Sequence, residues 1–354
     1  MQKSIAIIGG GPGGLSAAVR AAELGLRVVL YEKGHIGCGI TCAEGFIDTL
    51  GILGKPESGV LFKVEKVNFG ANKEHLVNVG DDYGIWMIDR DAWQRSLAKK
   101  AHDLGVSVKE HYPIDKHRLQ EMRDTHNYII DASGAPSVTS RMYGFISTYL
   151  KNATILAQYS VEGDFSFLGK NTIKIVYEPH YVGYYYIFPK GQNIANVGVG
   201  KFHLNKKNRA LYLNKELNDV LIKEGLDGYR VLKKVQSFTP SASVARLVWR
   251  NILLVGDAAA LCSPLYGGGI DMACISGRLA AELIASNQIS LYPTRLWGII
   301  GKKLTMEKRV RSLWHFFGYP FIRGILRYPG LMRGIIFNKR PIPQILGFGS
   351  KRVF

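Results

Sequence analysis

Residues 4–32 read SIAIIGGGPGGLSAAVRAAELGLRVVLYE, and this stretch leaves the chain few choices of fold. Ser4 to Ile8 is a short apolar run ending at glycines, the pattern of a fully buried strand. An alanine-rich helical segment follows from Leu15 to Leu24, then Gly25, then a second apolar strand from Arg27 to Tyr31. Strand, helix and strand in so short a length make a βαβ unit, which commits the chain to a parallel sheet with helices on its faces. Gly9, Gly11 and Gly14 set out G-x-G-x-x-G at the strand-to-helix turn. Such glycines allow a tight turn, the approach of a pyrophosphate and close packing of helix on strand, while the helix start supplies free N–H groups and a positive dipole end. The spacing by itself is common, and Glu32 sharpens it. Glu32 ends the second strand eighteen residues after Gly14, where a carboxylate accepts hydrogen bonds from an adenosine ribose and disfavours a 2′-phosphate.

Further strands of this sheet are read at Ser107 to Glu110, Tyr128 to Asp131 and Ile252 to Val255, with helices at Asp91 to Leu104 and Leu279 to Ser286. Residues 61–84 and 141–244 have another texture, in which β-branched and aromatic residues alternate with polar ones. TIKIVYEPHYVGYYYIFPKGQNIANVGVGKF reads as three strands of an antiparallel sheet. The two textures interleave. The expected class is therefore α/β: a Rossmann-type dinucleotide domain from residues 1–60, 85–140 and 245–290, an antiparallel β-sheet domain inserted through 61–84 and 141–244, and a helical C-terminal region, 291–354. The 354 residues, 47% of them hydrophobic, supply ample core.

Cys38, Cys42, Cys262 and Cys274 are too few for a disulfide framework, which suits a reducing compartment. They show no zinc or iron–sulfur spacing, so no metal is expected. The apolar stretch at the N-terminus is too short for a signal peptide, and no run of about 18 uncharged apolar residues reads as a membrane span.

A second motif separates FAD from NAD. In LLVGDAAALCSPLYGGGIDMA a buried strand ends in Gly256-Asp257, and Gly267-Gly268-Gly269-Ile270 opens a helix. An aspartate at the strand end can hold a ribityl hydroxyl. The glycine run lets a helix N-terminus approach a flavin's pyrimidine edge, where negative charge collects on reduction. Arg90, in MIDRDAW before a helix, reads either as a cation for a pyrophosphate or as a solvated arginine at a helix start.

With DASGAPSVTSR (Asp131 to Arg141) between them, these motifs resemble the flavoprotein superfamily of p-hydroxybenzoate hydroxylase, and within it the geranylgeranyl reductases, digeranylgeranylglycerophospholipid reductases included. The resemblance covers roughly residues 1–290. It rests also on Cys42-Ala43-Glu44-Gly45 and on Tyr184-x-Tyr186-x-Phe188-Pro189 followed by Gly198 and Gly200. Tyr186 departs from the family's tryptophan, and Cys38 is a second departure. The resemblance implies FAD contacts at Gly13, Glu32, Cys42, Ala43, Gly45, Arg90, Asp257, Gly269 and Ile270, beside the other glycines of the two loops. It implies substrate contacts at Tyr184, Tyr186, Phe188, Pro189, Gly198 and Gly200, although strand aromatics serve equally as core.

The activity so implied is saturation of C=C bonds in a prenyl lipid or polyprenyl quinone, with hydride from reduced flavin and a proton from an acid. An isolated alkene offers no carbonyl to polarise, so placement and exclusion of water carry most of the catalysis. Cys42 is the first candidate for the acid and Glu44 the second; a buried structural thiol and a redox pair with Cys38 are the other readings of Cys42. The electron donor is left open among NAD(P)H, a ferredoxin and another low-potential carrier. Two further readings share the fold: an aromatic hydroxylase or epoxidase, and a prenyl-binding escort protein without flavin.

Residues 291–354 carry thirteen Lys and Arg against the single Glu307, twelve of the chain's eighteen net positive charges. In KKLTMEKRVRSLWHFF, Val310, Leu313, Trp314 and Phe317 share one helical face, with Lys302, Lys303, Lys308, Arg309 and Arg311 largely elsewhere on the wheel. Cations mixed with Trp, Phe and Leu fit a peripheral site on the anionic inner, cytoplasmic face of a membrane, or a lid on the protein's own second domain. No nucleic-acid reader motif accompanies the charge.

Overall fold

The structure is a computed structural model that describes residues 3–80, 84–150, 153–202, 211–241 and 244–337. Ser4–Ile8 lies inside a six-stranded sheet ordered Val248–Trp249, Ile252–Leu254, Tyr128–Asp131, Ser4–Ile8, Arg27–Tyr31, Ser107–Lys109. Neighbouring strands are parallel except at the Val248–Trp249 edge. Ile5, Ala6 and Ile7 are fully buried, as a parallel sheet covered on both faces requires. The first helix runs Pro12–Glu23 and so begins three residues before the expected Leu15. Proline's fixed φ and missing N–H suit the first helical position, which places Gly13 and Gly14 inside the first turn.

The second sheet has seven strands, ordered Arg230–Pro240, Ala153–Glu162, Ile194–Phe202, Gly183–Pro189, Thr172–Tyr177, Lys66–Ala71, Lys73–Asn78. The three strands expected from residues 172–202 pair antiparallel, with Tyr186 opposite Ile175 on one side and Gly198 on the other. Lys66–Ala71 joins parallel to Thr172–Tyr177. Val60–Lys63 does not enter this sheet. It pairs with Gly84–Ile88, which pairs in turn with Gly45–Asp48, in a three-stranded sheet of its own.

Gly183–Pro189 is buried at every position because both faces of its sheet are covered. Tyr185 and Ile187 point toward Leu213, Leu217 and Val220 of the helix Leu211–Lys223. Tyr184, Tyr186 and Phe188 point the other way, into a core closed by three C-terminal helices, Tyr292–Phe317, Tyr319–Leu326 and Pro329–Phe337.

The long helix corrects the expected wheel. Its inward stripe is Leu296, Ile300, Lys303, Leu304, Glu307, Arg311 and Trp314, whereas Leu313 and Phe317 are exposed. Charge can face inward here because it is paired or hydrogen-bonded: Lys303 bonds Glu307, and Arg311 Nη1 donates to Ser241 Oγ at 3.0 Å. Residues 338–354 of the basic tail lie outside the described part. Among the described residues no helix is long and apolar enough to cross a membrane.

Candidate functional site

A cavity of about 580 Å³ runs from the turn after the first strand, past Cys42 and Asp257, into an apolar corridor on the aromatic face of the seven-stranded sheet. At its first end Gly9, Gly11 and Gly13 form the wall. Gly14 stands behind it: a Cβ there would lie 1.9 Å from the Gly9 carbonyl oxygen, so the residue is needed for packing. The Glu32 carboxylate is fixed at the rim, its Oε2 accepting from the Gly10 N–H at 2.7 Å and its Oε1 from the Gly34 N–H at 3.0 Å. Arg90 Nε donates to Gln94 Oε1 at 2.7 Å, and Gln94 Nε2 donates to the Gly10 carbonyl at 3.2 Å. The guanidinium is thus tied through Gln94 to the glycine turn, which lines the same cavity.

On the opposite side Asp257, Gly267, Gly268, Gly269 and Ile270 line the same space. Gly269 is the N-cap of the helix Ile270–Ala285 and supplies no side-chain cap, which leaves N–H groups of the first turn for a ligand. Burial pushes the Asp257 carboxyl upward, partly offset by Cys262 Sγ, which donates to Oδ1 at 3.0 Å. Burial also drives the Cys262 thiol well up, so it remains a donor.

These residues fit FAD. The helix Pro12–Glu23 likewise starts without a side-chain cap. A dinucleotide that reaches both helix starts meets N–H donors and a cation at its phosphates, a fixed carboxylate at a ribose, and an acid and a glycine run at its far end.

Between the two ends lies the loop of Cys42, Ala43 and Gly45, all lining the cavity. Glu44 does not line it. Its backbone has φ 67°, rare for a residue with a side chain, and this turns the carboxylate away from the cavity. Lys190 Nζ at 2.8 Å and Asn196 Nδ2 at 2.9 Å bind Glu44 Oε2, and the Arg90 N–H donates to Oε1 at 3.2 Å. The Glu44 N–H itself donates to Cys42 Sγ at 3.3 Å. Gln158 Nε2 donates to the Cys42 carbonyl at 3.2 Å, and Asn196 Nδ2 to the Ala43 carbonyl at 3.3 Å. Cys38 is exposed, Cys42 half-buried, and both are free thiols.

Beyond the loop, Tyr184, Tyr186 and Phe188 wall the corridor together with Val67, Phe69 and Ile173. Tyr186 OH donates to Gln158 Oε1 at 2.7 Å, and Tyr184 OH donates to the Tyr266 carbonyl. Burial pushes both phenols far above their ordinary range, so they act as neutral donors. Pro189, Gly198 and Gly200 are not in the wall. Gly198 lies under the Tyr186 ring, which a Cβ would approach to 2.3 Å. Sequence reasoning missed Gln158, Lys190, Asn196 and Tyr266; for Gln158 and Asn196 the available signal was an amide among the apolar residues of a strand.

Residues 4–64 match the FAD binding domain family. A digeranylgeranylglycerophospholipid reductase of Thermoplasma volcanium is 30% identical over 330 residues, which cover 81% of this chain and 80% of that protein. Digeranylgeranylglycerophospholipid reductase 1 of Methanopyrus kandleri is 30% identical over 309 residues, 80% of each. Among solved structures, a geranylgeranyl bacteriochlorophyll reductase-like protein of Thermoplasma acidophilum superposes with a TM-score of 0.79 at 21% identity, over 93% of this chain and 92% of that one. The flavin-dependent brominase Bmp2 superposes with a TM-score of 0.69 at 18% identity, over 95% and 94%. At those identities the two structures attest the fold.

Proposed function

Because the chain belongs to the digeranylgeranylglycerophospholipid reductase family, we propose that it is an FAD-dependent reductase that saturates C=C bonds of a prenyl lipid. The observation that carries this reading is a continuous cavity, in which a dinucleotide cradle and a corridor of Tyr184, Tyr186 and Phe188 share one space with Cys42 in its lining. Residues 1–60, 85–140 and 245–290 form the cofactor unit. Gly9, Gly11, Gly13 and Arg90 would hold the pyrophosphate of FAD, Glu32 the ribose, Asp257 the ribityl chain, and Gly267, Gly268, Gly269 and Ile270 the ring. Reduced FAD supplies the hydride.

The chain's own side chains supply the rest. The corridor presents hydrocarbon and ring faces to a prenyl chain and excludes water, so an alkene is placed with little loss to side reactions. Cys42 is the proton donor. Its sulfur already accepts an N–H from Glu44, which leaves the S–H free to point into the cavity. Glu44 is a positioning residue, clamped outside the cavity by Lys190 and Asn196. A ferredoxin, a nicotinamide nucleotide or another low-potential carrier reduces the enzyme, which sits on the anionic inner face of a membrane.

Anaerobic incubation of the holoenzyme with dithionite and a geranylgeranylated glycerol lipid tests the reading. Mass spectrometry is expected to show one H₂ gained per reduced bond, abolished by omitting the reductant. A product that forms only in oxygen and gains an oxygen atom would support the hydroxylase reading and refute this one.

A further inference from the structure

The C-terminal helices share a core with the aromatic face of the seven-stranded sheet, yet among the described side chains of residues 291–337 only Met332 and Ile336 line the cavity. They lie one turn apart on the helix Pro329–Phe337. Opposite them stand side chains of the strands Lys66–Ala71, Thr172–Tyr177 and Gly183–Pro189. Neither Met332 nor Ile336 offers a hydrogen bond to a headgroup. The pair is suited to meeting methyl and methylene groups.

The end of this helix is tied to the cofactor side by buried polar contacts. Lys303 Nζ, fully enclosed, donates to the Ile336 carbonyl at 2.7 Å and pairs with Glu307 one turn along the long helix. Glu307 Oε2 accepts from Ser263 Oγ at 2.8 Å, and the Ser263 N–H donates to the Gly268 carbonyl at 2.7 Å. Lys303 also lies 5.3 Å from the centre of the Tyr266 ring, whose backbone carbonyl holds Tyr184. An enclosed Lys–Glu pair costs desolvation that two apolar residues would not, so its placement where the helix meets the glycine loop is better explained by geometry than by stability.

We propose that Met332 and Ile336 limit how far an isoprenoid chain threads past the reaction centre, and so select chain length, with Lys303 and Glu307 as the positioning pair that fixes this wall. The inference rests on the prenyl reductase reading above and deepens it. A shorter chain ends before the wall and is indifferent to it. A longer one must fit against it.

The test compares geranyl and geranylgeranyl lipids, reduced with dithionite by the wild type and by Met332→Trp. The variant is expected to lose about 10-fold in kcat/KM on the geranylgeranyl lipid, the scale at which a pocket rejects excess hydrocarbon. It should keep the wild-type value on the geranyl lipid. Calorimetry with saturated alcohols gives a second readout without turnover: affinity for phytanol should fall and that for tetrahydrogeraniol should not. Should Met332→Trp fold poorly, Met332→Ala lengthens the corridor instead and is expected to gain activity on a farnesylgeranyl lipid. For the positioning pair, Lys303→Met with Glu307→Met removes both charges together and leaves the buried Asp271 carboxylate, which Lys303 also favours, with its hydrogen bonds from Thr49 and Met272. That variant is expected to bind FAD normally and to raise KM for the geranylgeranyl lipid while leaving kcat on the geranyl lipid intact. Equal effects on short and long chains, or none, would overturn the proposal while leaving the reductase reading standing. A wild type that reduces no prenyl lipid at all would remove both.

Discussion

Tyr186 passes a hydrogen bond to Gln158, and Gln158 passes one to the carbonyl of Cys42. The proposed donor's loop is therefore tied to the corridor wall through Gln158, beside the bonds that Asn196 makes to Ala43 and Glu44. Gln158→Ala would leave a buried hydroxyl and a carbonyl unpaired, at a cost of about 1–3 kcal/mol. Adding Tyr186→Phe removes the orphaned hydroxyl, and thermal or urea unfolding is expected to show the double variant recovering about 1 kcal/mol relative to Gln158→Ala. Equal stability of the two variants would mean that the hydroxyl is not bound to Gln158. Residues whose placement follows from backbone geometry, such as Gly9, Gly14 and Asp257, were legible in the sequence because turns and strand ends are local. Gln158 and Asn196 were not, since an amide on a strand reads alike whether it faces water or a loop distant in sequence. Glu44 shows a further limit: a motif supplies the residue, but its positive φ decides which way the carboxylate points.

The element with most to add is the long helix Tyr292–Phe317. By turning Lys303, Glu307 and Arg311 inward it frees apolar residues for the outside: Phe316 is 80% exposed, Phe317 57% and, past the next helix, Tyr328 67%. Exposed Arg295, Lys302, Lys308, Arg309, Arg323 and Arg327 accompany them. Aromatic side chains beside cations match an anionic lipid interface, where each cation contributes about 1 kcal/mol near the surface. Burying one phenylalanine contributes about 1.5–3 kcal/mol. Phe316→Ser with Phe317→Ser is accordingly expected to lower flotation on vesicles containing anionic lipid by at least about 10-fold, leaving turnover of detergent-dispersed substrate unchanged. Undiminished flotation would contradict the lipid-facing reading of this surface. Helical periodicity was legible in this segment. Its facing was not, because reading the wheel by polarity assumes that charges lie outside, and pairing inside a core lifts that assumption.

For the whole molecule, the alternation of βαβ and antiparallel textures was enough to expect an α/β chain with an interleaved sheet. What local pattern could not hold was the assembly of that sheet from distant segments, since the parallel pairing of Lys66–Ala71 with Thr172–Tyr177 depends on residues about a hundred positions apart. That pairing closes the corridor: Val67 and Phe69 on one strand and Ile173 on the other complete the wall begun by Tyr184, Tyr186 and Phe188. The cradle and the corridor are one space only in the assembled fold. A titration of oxidised, FAD-loaded protein with phytanol, followed by the flavin's visible absorption, reads this arrangement most directly. Replacement of water by hydrocarbon beside the ring is expected to sharpen and shift the flavin bands, saturating at one equivalent. Phytanol that binds by calorimetry yet leaves the flavin bands unmoved would contradict the account.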